Sequence, residues 1–124
     1  MDISEEDNGH VTIVEVKGRI DSNSAKPFGD KLTNLIKDGR ARLIVDFKSI
    51  IYISSAGFRA LLVAGRTAEE QHGRVALCNM SSEVRRLFDL ASFSDLFPIY
   101  SSREEGVAKL SQAGTTPQTN FTSR

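Results

Sequence analysis

Two adjacent hydroxyls, Ser54 and Ser55, stand where a strand-forming apolar run gives way to helical spacing, and Ala56 and Gly57 follow them. Such a pair could attack a substrate, cap a helix or accept a phosphoryl group. As a nucleophile, Ser55-Ala56-Gly57 supplies half of the strand-to-helix elbow of hydrolases, but Ile53 occupies the place of the preceding glycine. The base would have to be His10 or His72, the only two histidines. His10 opens a strand and His72 closes a helix, settings more typical of solvated turn histidines than of a triad base. One cysteine and two separated histidines offer no zinc-ligand spacing, and no Gly-Lys-Ser or Gly-Lys-Thr loop is present to cradle a phosphate. The expectation is a protein that is not an enzyme and carries no metal or cofactor.

Recognition remains. A serine just before a helix can accept one of the backbone N–H groups that lack partners in the first turn, which accounts for one hydroxyl. The same position favours negative charge, because the free N–H groups and the helix dipole point at it, so a phosphate there is locally tolerated. Capping and modification both remain open readings of the pair.

The elements that must position these serines follow from apolar periodicity. Leu43, Ile44, Val45 and Phe47 suit a strand over about 42–47 that is covered on both faces. Phe58, Leu61, Leu62 and Gly65 recur at helical spacing over about 56–71, with Arg59, Arg66 and Glu69 mainly on other faces. His10 to Lys17 is a β-branched strand, and the residues around Ile3 pair with it across Asn8-Gly9. The polar loop Gly18 to Ala25 leads to a helix carrying Phe28, Leu32, Leu35 and Ile36, with Pro27 in its first turn and Asp38-Gly39 at its end. Arg74 to Met80 is a strand, and Ser81-Ser82 starts a helix bearing Val84, Leu87, Phe88 and Ala91. Phe97 to Tyr100 is a short strand, Ser102 and Glu105 are spaced as a capping box, and Val107 and Leu110 face inward on a last helix. This alternation is that of an α/β sheet, in which sites gather beyond the carboxyl ends of the strands. The loop after Phe47, with Ser54 and Ser55, lies at that end, as does the Asp21 loop if its strand runs parallel.

A chain of 124 residues with 40% hydrophobic content forms one domain without need of disulfide or metal. Sixteen basic and sixteen acidic residues leave no net charge, which argues against a direct nucleic-acid partner. The lone Cys78 sits in an apolar strand and suits a reducing cytosol. The acidic start lacks the regions of a signal peptide, and no apolar run approaches the ~20 residues of a membrane span. A cytoplasmic protein is expected, with no membrane partner. The domain spans 1–113, and 114–124 is a polar tail of disordered composition.

Gly18-Arg-Ile-Asp21, Ile44-Val-Asp-Phe47, Tyr52-Ile-Ser-Ser-Ala-Gly-Phe-Arg-Ala-Leu-Leu62 and Ser82-Glu-Val-Arg-Arg-Leu-Phe-Asp89 fall in the order and spacing of the STAS domain. More narrowly, the chain resembles the bacterial anti-sigma factor antagonists from residue 3 to 111. The resemblance implies a mixed β-sheet with about four helices packed mainly on one side. It also implies partner switching. The antagonist binds an anti-sigma factor with serine kinase activity, is released when phosphorylated at the start of the second helix, and is restored by a PP2C-type phosphatase. In the family's usual Asp-Ser-Ser/Thr-Gly run the acceptor directly follows the Asp. Laid on this chain, Ser54 takes the Asp position, Ser55 the acceptor position and Ala56 the second hydroxyl position. Ser55 is thus the expected phosphorylation site, with Ser54 the alternative because the acidic neighbour is missing. Asp21, Ser22, Ser54, Ser55, Ala56, Gly57, Phe58 and Arg59 are the expected partner-binding residues, and Phe58-Arg59, where the family often has Leu-Gly, makes that helix bulkier and more basic. A non-switching STAS scaffold and a ligand-sensing STAS module are the alternative functions.

Overall fold

The computed structural model describes residues 1–112, so the expected polar tail from residue 114 lies outside the described residues. Asp2–Asn8 (β1) and Val11–Ile20 (β2) form a hairpin, antiparallel from Asp2↔Lys17 to Asn8↔Val11. Gly9 turns it at φ 67°, a left-handed conformation that glycine adopts without steric cost. Ala25–Lys37 (α1), Arg42–Ile53 (β3), Ser55–Glu70 (α2), Arg74–Cys78 (β4), Ser82–Leu90 (α3), Ile99–Tyr100 (β5) and Arg103–Gln112 (α4) follow. The sheet order is β1-β2-β3-β4-β5, with β2 to β5 parallel and β1 antiparallel at the edge, a mixed sheet as expected.

Period-two alternation divides the strands between two cores. Val14, Val16, Leu43, Val45 and Phe47 face α1, α2 and α3, which bury Phe28, Leu32, Leu61, Val84 and Phe88 against them. Val11, Ile13, Ile44, Ala76 and Cys78 face the other way and are covered by Leu110 and Val107 of α4. Three helices therefore share one face and one covers the reverse, which explains why the central strands are apolar on both sides. Burial, reinforced by the negative charge of Asp46, pushes the Cys78 thiol up to about 12, so it is inert at neutral pH.

Several boundaries depart from the sequence expectation. β3 does not end near Phe47 but runs to Ile53, so the residues before Ser54 are strand rather than loop. Two register irregularities, between Glu15 and Lys17 and between Gly18 and Arg19, let β2 stay paired with it through Ile20↔Ile53. β4 stops at Cys78, where Asn79 takes φ 57° and its Nδ2 donates to Asp46 Oδ1 at 3.1 Å. In the α4 cap, Ser102 Oγ accepts from Glu105 N–H at 3.1 Å, but Glu105 Oε1 accepts from Ser101 N–H, one residue earlier than a regular box.

Candidate functional site

The paired ends of β2 and β3 place two loops side by side at the carboxyl end of the parallel strands. Ser54 N–H donates to Ile20 O at 2.8 Å, tying the entry of α2 to the end of β2. The next residue after Ile20 is Asp21, whose Oδ1 accepts from the N–H groups of Asn23 and Ser24, both at 3.0 Å. The Ser24 N–H, then its hydroxyl, then the Asn23 N–H hold the Asp21 carboxyl below the usual carboxylate range. Asp21 thus shapes its own loop, and Ser22 is exposed beside it.

The two serines divide the work. Ser54 has extended backbone angles (φ −90°, ψ 173°), and its Oγ accepts from Gly57 N–H at 3.3 Å. It is the N-cap. Ser55 is the first helical residue and is exposed, and its hydroxyl forms no hydrogen bond among the described residues. The first turn of α2 contains no acidic side chain, so the positive end of the helix dipole is not neutralised from within.

The remaining expected contact residues separate by burial. Arg59 is exposed, and Ser54 and Ala56 are half-buried. Gly57 is buried, and a Cβ there would stand 2.7 Å from both Ile20 Cγ2 and Ile53 Cγ1. The glycine is required by the close approach of α2 to the strand ends. Phe58 is 7% exposed, its ring edge-on to Phe88 at 4.9 Å and 5.0 Å from Phe93. Neither Gly57 nor Phe58 presents a side chain to a partner, so the bulk expected on the helix surface from Phe58 is directed into the core. Of the Phe58-Arg59 pair, only the charge reaches solvent.

Sequence reasoning did not single out Ile51, which is 68% exposed, or Arg19, whose guanidinium lies 4.5 Å from the Tyr52 ring centroid. The signal was present: Ile50 and Ile51 are consecutive in a strand, so they point to opposite faces. A groove of about 430 Å³ also runs between α1 and α2, with Lys26, Lys37, Arg59, Ala60 and Val63 among its walls. His10 and His72 flank a depression at the amino ends of the strands, the end of the sheet opposite Ser55.

Comparison with known proteins places this arrangement. Residues 2–106 match the model of the STAS domain, and the chain belongs to that family. It is 32% identical over 94 residues to the anti-sigma-B factor antagonist of Bacillus subtilis, covering 76% of this chain and 85% of the relative. The crystal structure of an anti-sigma factor antagonist from Mycobacterium paratuberculosis superposes with a TM-score of 0.81 at 20% identity, covering 90% of this chain and 94% of that one. The Bacillus antagonist SpoIIAA matches at 20% identity in both forms. Its unphosphorylated form gives a TM-score of 0.69 over 90% of this chain and 99% of its own, and its phosphorylated form 0.68 over 87% and 98%.

Proposed function

We propose that this protein is an anti-sigma factor antagonist that works as a partner switch, with Ser55 as its phosphorylation site. Unmodified, it docks an anti-sigma factor that is also a serine kinase through Ser55, Arg59 and the neighbouring Asp21-Ser22 loop. In the kinase, Ser55 Oγ bonds to the γ-phosphorus of ATP, the bond to ADP breaks, and the hydroxyl proton passes to a base of the kinase. A PP2C-type phosphatase restores the serine by hydrolysis, releasing inorganic phosphate. The cycle runs in the cytoplasm.

The observation that carries this reading is the division of labour between the serines. Ser54 is engaged as the cap, whereas Ser55 is exposed with a free hydroxyl. A phosphoserine carries about −1.5 to −2 charges at pH 7. On its own helix it gains about 0.3–1 kcal/mol from the dipole, so the fold persists. Across a close interface, like-charge contact costs several kcal/mol, and each ~1.4 kcal/mol is tenfold in affinity. Release therefore outweighs the intramolecular gain.

The test is a comparison of wild-type, Ser55→Ala and Ser55→Asp baits in the native cytoplasm, followed by phosphosite mapping of the bait after ATP is added. The first two should retain a serine-kinase partner and the third should lose it, with phosphate found on Ser55 of the wild type alone. Phosphate mapped to Ser54, or equal retention by all three baits, would overturn the assignment.

A further inference from the structure

Ser55 and Arg59 are four residues apart on α2, and both are exposed. Side chains at this spacing are neighbours on a helix surface, and an anion placed N-terminal to its cation is the better orientation. Arg59 makes no ion pair and no hydrogen bond among the described residues. Of the two lysines that α1 contributes to the groove, Lys26 is paired with Asp30 at 2.9 Å, and Lys37 lies at the far end of α1. The first turn of α2 has no carboxylate to compete for the guanidinium.

From this geometry we infer that Arg59 is a positioning residue of the switch: a phosphate on Ser55 is captured by the Arg59 guanidinium within the same helix. Charge-assisted bonding between phosphate and guanidinium can be bidentate, which fixes direction as well as distance. Capture has two consequences. It lays the phosphate along the helix surface, and it draws Arg59 away from the groove between α1 and α2, where the unmodified protein presents it as a free cation. Phosphorylation would then both add negative charge at the tip of α2 and remove a positive one from its flank. The inference rests on Ser55 being the acceptor.

The experiment removes that dependence by installing phosphoserine at position 55 during synthesis, in the otherwise wild-type chain and in Arg59→Gln. Phosphorus NMR then follows the second ionisation of the phosphate, which a nearby guanidinium lowers. With Arg59 present, the midpoint should be lower by about 0.15–0.4 pH units than in Arg59→Gln, and the difference should shrink at high salt. Thermal melting supplies a second readout. Phosphoserine should raise the melting temperature more in the wild-type background than in Arg59→Gln, while the unmodified proteins melt alike. Equal ionisation midpoints in the two proteins would overturn the capture. If phosphosite mapping by a kinase instead finds another residue, the acceptor assignment fails while the pair measured here stands or falls separately.

Discussion

Ser54 and Ser55 are the same residue type in adjacent positions, yet the backbone gives them different roles. The Ser54 oxygen replaces a missing helix partner for Gly57 N–H, whereas the Ser55 oxygen faces water. Ser54→Ala should therefore cost about 1 kcal/mol of stability, the usual loss of an N-cap. Ser55→Ala should change it by less than about 0.5 kcal/mol, as surface substitutions generally do. Urea denaturation of the two variants would check this, and a larger loss in Ser55→Ala would reverse the assignment of cap and acceptor. Family resemblance ranks Ser55 above Ser54 as acceptor, but residue chemistry alone leaves capping and modification open, because the cap is whichever serine carries the extended backbone angles. Phe58 shows the opposite limit. Its neighbour Arg59 faces solvent, whereas Phe58, which apolar spacing sets on one stripe with Leu61, is turned inward onto Phe88, so its ring is unavailable to a partner despite its place in the family's contact run.

Among the elements, α4 shows how a short helix is fixed to the reverse face of the sheet. Arg103, its first residue, pairs with the buried Asp46 of β3 and also reaches Glu15 of β2 at 3.3 Å and Glu6 of β1 at 3.5 Å. Burial pushes the Asp46 carboxyl up, but hydrogen bonds from Arg103, the Lys48 N–H and Asn79 outweigh it and leave the group below the usual carboxylate range. A carboxylate depressed in the folded state stabilises the fold above its unfolded value, near pH 4, and loses that contribution as pH falls through its folded value. Asp46→Asn should thus show a shallower loss of stability below about pH 4 than the wild type, measured by urea midpoints across pH, at the expense of lower stability at neutral pH. An unchanged acid slope would remove Asp46 from the account. The Asp is visible within Ile44-Val-Asp-Phe47, but its partner lies 57 residues away in a helix whose inward residues, Val107 and Leu110, do not by themselves say which face of the sheet they cover.

Across the whole molecule, the surface switch depends on the core beneath it. Phe47, Phe58 and Phe88, from β3, α2 and α3, pack edge-to-face at 5.7 and 4.9 Å, with Phe93 against Phe58. This cluster joins the helix bearing Ser55 to the sheet and to α3. Phe88→Ala should cost about 3–5 kcal/mol, a large share of the 5–15 kcal/mol that holds an ordinary domain folded. Denaturation would show a lower midpoint, and a loss below about 1 kcal/mol would mean that the cavity closes by relaxation of its neighbours.

The alternation of strands and helices, the two-sided burial of Leu43 to Phe47 and the small-residue junction at Ser54 to Gly57 are all legible in the chain before it folds. These are local signals, carried by side-chain periodicity and turn chemistry over a few residues. Long-range packing set the extension of β3 to Ile53, the placement of α4 on the reverse face, and the seating of the Phe58 ring between Phe88 and Phe93. Those outcomes follow from pairing with β2, from charges brought together across the sheet and from competition for buried volume, all of which arise only when distant segments meet.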